Sequence, residues 1–256
     1  MPDLRMTSVE PSQFYTGIVA QIYAPLRSVV PEAEPYMRFI TRSGEPALEL
    51  GCGDGDPLLE LRELGIDVEG LDSSADMLDR CRAAALVRGV EVTLHEQSME
   101  SISIGRHFRS IFIAGPTFNL LPDDGVALRA LQGIAAHLAE GGAALIPLFV
   151  PAPSPRSVFG VPRLHVCDDG SEMSFTLISE TRDDVARTQT AHTRYELSTA
   201  AGTQVAERDW LLHWYSDARF RELVESAQLV VKSFRTQAGA PANADDDAVV
   251  YILAKR

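Results

Sequence analysis

The stretch Pro46-Ala-Leu-Glu-Leu-Gly-Cys-Gly-Asp-Gly-Asp56 constrains the fold more than any other part of this chain. Leu48 and Leu50 supply an apolar run of strand length, Glu49 stands at its carboxyl end, and three alternating glycines follow. Gly51, Gly53 and Gly55 allow the backbone to turn tightly and to approach a ligand closely. Asp56 can cap a following helix, and Pro57 suits its first position. A second apolar run, Val68-Glu-Gly-Leu-Asp72, ends in another acid. Asp72 lies about 20 residues past the first glycines, where a nucleotide-binding α/β unit places the acid for its ribose.

The acids inside the turn select among nucleotides. A dinucleotide pyrophosphate needs bare backbone N–H groups at a helix N-terminus. Glu49, Asp54 and Asp56 would crowd that anion with negative charge. A ligand carrying a sulfonium and an ammonium fits better, and S-adenosylmethionine (SAM) is such a ligand. The segment from Glu49 to Gly55 closely resembles the first motif of the class I SAM-dependent methyltransferases, (D/E)-x-G-x-G-x-G.

The resemblance covers about Tyr15 to Phe149 and resumes at Tyr215. Leu71-Asp72-Ser73-Ser74-Ala75-Asp76-Met77-Leu78 is similar to the family's second motif. It implies cofactor contacts at Glu49, Gly51, Gly53, Asp72, Ser73 and Met77. Asp72 would accept hydrogen bonds from both ribose hydroxyls, since a carboxylate offers two acceptor oxygens. Met77 would lie against the adenine. In Glu96-Gln97-Ser98-Met99-Glu100 the chain has Ser98 where the family usually has an acid for the adenine amino group. The backbone contact at Met99 survives that change.

Ile113-Ala-Gly-Pro-Thr-Phe-Asn119 ends the fourth strand, over which donor and acceptor would meet. Ala114 leaves room for the methionine part of SAM, and Thr117, Phe118 and Asn119 could touch the acceptor. The Asn/Asp-Pro-Pro-Tyr type motif of DNA amino-methyltransferases is missing here, which argues against a nucleobase acceptor. Tyr15 falls in a lead helix similar to one that covers SAM, where it would reach the SAM carboxylate. Trp214 could line the acceptor cavity. His213 is the best-placed general-base candidate, but no catalytic residue is assigned.

Net charge is −13 with pI near 4.9, so the surface repels phosphate backbones and nucleic acid is a poor acceptor. Cys52, Cys81 and Cys167 form no C-x-x-C pair, which fits a reduced, cytoplasmic setting. The longest apolar run, Ala143 to Val150, is too short to span a bilayer, so no membrane partner is expected. No metal-ligand cluster is visible, and the expected oligomeric state is monomer or homodimer.

From Ala47 onwards, strands alternate with helices. Strands are predicted at Ala47–Leu50, Asp67–Leu71, Glu91–His95, Ser110–Ala114 and Ala143–Phe149, and helices at Pro57–Leu64, Ser74–Arg88 and Asp124–Ala139. Gly65, Gly89 and the Gly141-Gly142 pair stand where helix C-terminal caps belong. Residues 1–45 read as a helical cap interrupted by Pro31 and Pro35. Residues 46–150 read as the SAM-binding α/β core. Residues 151–215 open with a proline-rich connection and continue as three strands, an antiparallel β insertion serving as a substrate lid. Residues 216–256 add a helix, Ser216–Ala227, and strands Leu229–Arg235 and Val249–Ala254. The fold class is α/β: a Rossmann-like seven-stranded mixed sheet with helices on both faces, plus the insertion.

The implied activity is methyl transfer from SAM to N, O or C of a small molecule, with the insertion and the N-terminal helix forming the acceptor pocket. One rival is an NAD(P)-dependent Rossmann oxidoreductase, which would want a glycine loop without Glu49. Another is a non-enzymatic binding or scaffold protein on the same fold.

Overall fold

The computed structural model describes residues 14–27 and 30–256. Residues 1–13, 28 and 29 of the expected helical cap lie outside the described residues. The chain divides into two compact units, one of residues 30–151 and Leu212–Arg256, the other of residues 14–27 and Ala152–Leu211.

The larger unit is the α/β core. Its strands are β1 (Ala47–Leu50), β2 (Val68–Asp72), β3 (Leu94–Glu96), β4 (Phe108–Phe112) and β5 (Leu138–Phe149), with two late strands here called β10 (Leu229–Thr236) and β11 (Ala248–Lys255). They form one seven-stranded sheet in the order β10-β11-β5-β4-β1-β2-β3. β1, β2, β3, β4 and β5 pair in parallel, while β11 pairs antiparallel with both β5 and β10. This is the predicted mixed sheet.

Both faces are covered, as a parallel sheet requires. Helices α2 (Glu34–Ser43), α3 (Leu58–Glu63) and α4 (Ala75–Arg88) supply Phe39, Leu59 and Leu78 to the core on one face. Helices α5 (Asp124–His137) and α6 (Asp217–Ser226) supply Leu131, Ile134 and Phe220 to the core on the other. β1 is buried along its whole length, between β2 and β4 at the middle of the sheet. Its carboxyl end lies beside the point where the strand order reverses, the place where open α/β sheets bind ligands.

Local chemistry sets most boundaries. Ser74 caps α4 by accepting the Met77 N–H, and Gly89 ends that helix in the left-handed conformation at φ 69°. Ser216 caps α6 in the same way. Pro35 lies in the first turn of α2 and opens that helix instead of interrupting it. The Gly141-Gly142 pair differs from expectation. α5 ends at His137, and the glycines fall inside β5, where its register against β4 jumps between Leu138 and Ala143. A Cβ on Gly142 would stand 2.8 Å from the Arg109 carbonyl oxygen, so the glycine serves close strand approach at an irregularity.

The smaller unit is an antiparallel sheet with one helix, α1 (Ile18–Leu26), packed on it. Its strands are β6 (Arg163–Val166), β7 (Glu172–Asp183), β8 (Thr188–Thr199) and β9 (Gly202–His213), in that order. Leu212 and His213 at the end of β9 already belong to the larger unit. The sequence predicts three of these four strands. β6, Arg-Leu-His-Val, alternates over only four residues, all exposed, and follows the proline-rich connection, so the run is too short to read as a strand.

Candidate functional site

The glycine turn after β1 is built as its sequence requires. Gly51, Gly53 and Gly55 have φ of 74°, 53° and 106°, values that other L-residues rarely adopt. The N–H groups of Gly51 and Cys52 both donate to the Leu71 carbonyl, at 2.7 and 3.0 Å, which binds the turn to the end of β2. A Cβ on Gly51 would stand 2.7 Å from Cγ2 of Thr117, and one on Gly53 would stand 3.3 Å from Cε of Met77. Thr117 and Met77 therefore close over the turn from two sides. Asp56 pairs with Arg88 at 3.4 Å, and Pro57 stands at the cap position of α3.

Asp72 ties the two motifs together. One carboxylate oxygen accepts the Gly53 N–H at 2.9 Å, and the other accepts the Ser74 N–H at 2.8 Å. Burial raises its pKa, and the N–H groups of Ser74 and Gly53 partly restore it. The Ser73 N–H adds a third bond, and the carboxylate retains acceptor capacity for a ribose hydroxyl.

Glu49 is the anomaly of the core. It is fully buried, and neither carboxyl oxygen has a hydrogen-bond partner among the described residues. Burial pushes its pKa well above the usual carboxylate range, and the charges of Asp72 and Asp56 push it further. A buried carboxyl with no partner is costly to maintain, and a cation at the site would satisfy it. This matches the sulfonium and ammonium of SAM. The residues present fit that cofactor: an orphaned acid, a glycine turn and a second acid with acceptor capacity. Cys52 is buried beside them, and burial raises its thiol pKa well above normal, so it packs and stays inert.

Tyr36 was not legible in the sequence. Its ring stacks on Phe112 at 5.1 Å, and its hydroxyl oxygen accepts the Gly115 N–H at 3.1 Å. Burial raises its pKa, the Gly115 bond opposes this, and the charge of Glu49 adds to the rise, which places the phenol within reach of that acid's field. It sits at the start of α2 with no motif around it; only the Pro-Tyr helix start could have drawn attention to it.

The remaining expected site residues take varied places. Ala114 is buried at the end of β4 beside Gly115. Ser98 accepts the Ser101 N–H through its carbonyl at 3.0 Å, and the Met99 side chain joins the α5 core. Ser73 is half-buried between Asp72 and the α4 cap. Phe118 and Asn119 were expected at the acceptor, but both are fully buried. Phe118 meets Phe220 edge-on at 5.8 Å. The Asn119 amide holds main chain: it donates to the carbonyls of Phe149 and His213 at 3.0 and 2.8 Å and accepts the Phe149 N–H at 3.2 Å. Trp214 is buried. His213 is 2% exposed, edge-on to Tyr215, with Nε2 at 3.5 Å from Asp124. Tyr15 lies in the smaller unit, edge-on to Phe14 and Tyr23. Among the described residues no group of side chains could hold a metal ion, and no helix is long and apolar enough to cross a membrane.

Residues 47–142 match a family model described as a methyltransferase domain. This segment is thus similar to a methyltransferase domain. The chain is 32% identical over 114 residues to the cypemycin N-terminal methyltransferase of a Streptomyces species, covering 44% of this chain and 46% of that protein. It is 28% identical over 144 residues to the dTDP-3-amino-3,6-dideoxy-alpha-D-glucopyranose N,N-dimethyltransferase of Streptomyces fradiae, covering 53% of this chain and 55% of that protein. The matches thus span about half the length of these curated relatives. In fold, the chain is similar to the CcbJ methyltransferase from Streptomyces caelestis, with a TM-score of 0.75 and 19% identity over 95% of this chain and 98% of that one.

Proposed function

We propose that this chain transfers the methyl group of SAM to an amine nitrogen of a small-molecule acceptor. The observation that carries the cofactor half is Glu49, a fully buried carboxyl with both oxygens unpartnered beside the glycine turn. The relatives' own names supply the nitrogen: one is an N-terminal methyltransferase and the other acts on an amino sugar. Extending that to this chain is inference from likeness.

When bound, SAM supplies an electrophilic methyl on sulfur, and a neutral amine needs only to be held in line with it. Glu49 neutralises positive charge at the turn, Asp72 orients the ribose, and the glycines admit the ligand to the backbone. Tyr36 holds Gly115 in place at the end of β4, and its own O–H proton remains available to an acceptor atom. No side chain is assigned as the base; the deprotonated amine is drawn from solution.

The test is incubation with methyl-labelled SAM and a panel of matched amines, alcohols and phenols, reading S-adenosylhomocysteine release and label in product. Label confined to amines supports the reading. Turnover of hydroxyl acceptors with untouched amines would refute it.

A further inference from the structure

Several arginines pair with carboxylates, Arg106, Arg194, Arg219 and Arg221 among them. Arg163 and Arg208, both in the smaller unit, have no carboxylate partner among the described residues. Arg163, exposed on β6, lies over the Phe175 ring at 4.5 Å. Arg208 on β9 donates only to the carbonyl of its neighbour Glu207, at 3.0 Å, and its Nε is buried without a partner.

Tyr195 stands between them. It is the register partner of Phe175, with ring centroids 5.3 Å apart, and it feels the charge of both guanidinium groups. Burial pushes its phenol up to about 12, while Thr193 and the two arginines pull it down. Trp210 lies two residues beyond Arg208 and so shares its face of β9. Its ring is 6.4 Å from Phe14, which is itself 6.3 Å from Tyr195. The Trp210 indole N–H is buried with no partner among the described residues. One face of the sheet thus gathers two unpaired guanidinium groups, an unpaired indole donor and a phenol around half-buried aromatic rings.

We propose that Arg163, Arg208, Tyr195 and Trp210 bind an oxyanion, carboxylate or phosphate, carried on a ring that stacks against Phe175 and Tyr195. Guanidinium forks match oxyanions, and an indole N–H can only donate, so the unsatisfied groups all ask for an acceptor. Two guanidinium groups on one face without a carboxylate partner attract an anion even in a chain of net charge −13.

The full chain is titrated calorimetrically with pyrophosphate and with benzoate at low salt, and separately with S-adenosylhomocysteine. At least one anion binds saturably, and which one distinguishes phosphate from carboxylate. The Arg163→Gln/Arg208→Gln variant binds that anion at least tenfold more weakly and S-adenosylhomocysteine as before. Trp210→Phe keeps a ring, removes the donor and weakens the anion severalfold. If the double variant does not fold, Arg163→Gln alone, at an exposed position, carries the comparison. Failure of both anions to bind the wild type, or equal binding by the folded variants, overturns the site. Anion binding without any S-adenosylhomocysteine binding would instead sink the methyl-transfer reading and leave the site standing.

Discussion

The main-chain N–H of Gly53 donates to the carboxylate of Asp72 across 2.9 Å. This single bond joins the glycine turn after β1 to the acid that ends β2, 19 residues away in sequence. The acid therefore shapes the turn as well as standing at the proposed nucleoside site. Turn geometry and ligand affinity should fail together when it is removed.

Asp72→Ala should weaken S-adenosylhomocysteine binding about tenfold or more, since hydrogen bonds to a charged acceptor contribute roughly 1.5–3 kcal/mol. The melting temperature should fall as well, because main-chain N–H groups lose their partner. Calorimetry and a thermal melt on the same preparation check both. Unchanged affinity in a folded variant would place the ribose elsewhere.

Glu49 gives a pH prediction with a definite sign. Burial, then Asp72 and Asp56, raise its folded-state pKa. The folded chain thus holds this proton more tightly than the unfolded chain, and its stability falls as pH rises from the ordinary carboxylate range towards the raised value. Glu49→Gln removes that contribution. In the absence of ligand, the variant should gain on the wild type in melting temperature as pH rises through this window. A difference that stays constant with pH would show that Glu49 is charged when the site is empty.

Gly51→Ala meets two obstacles, φ of 74° and a contact at 2.7 Å with Cγ2 of Thr117. Backbone strain of this kind costs of order 1–3 kcal/mol. Thr117→Ser removes that methyl group, so the double variant should recover part of the lost stability and the φ cost should remain. Denaturant unfolding of the four proteins in this cycle measures the coupling. Strict additivity would contradict the close approach.

Asn119→Leu strands the Phe149 N–H and two carbonyls in the core. Each unsatisfied group costs about 1–3 kcal/mol, so a loss of roughly 3 kcal/mol or more is expected in denaturant unfolding. A loss below about 1 kcal/mol would show that water replaces the amide.

Much of this was legible because strand and helix periods were clean. β1 was read to the residue, since its apolar run stops at a glycine. β3 was expected at Glu91–His95 but spans Leu94–Glu96, because an edge strand forms only where it meets β2, beginning at Gly70 opposite Leu94. β6 was not read because its alternation, Leu164 and Val166 on one face, lasts only four residues beside a proline-rich connection. The glycine turn was readable because glycines carry their conformational freedom in their identity. Tyr36 and Asn119 were not, since their roles depend on main-chain groups of Gly115, Phe149 and His213, which no side-chain pattern announces.

The most direct measurement is calorimetric titration of the wild type and Glu49→Gln with S-adenosylhomocysteine, SAM and NAD. SAM-dependent methyl transfer predicts saturable binding of the first two to the wild type, no binding of NAD, and at least tenfold weaker SAM binding by Glu49→Gln. Comparable affinity of the wild type for NAD, or SAM affinity indifferent to Glu49, would contradict it.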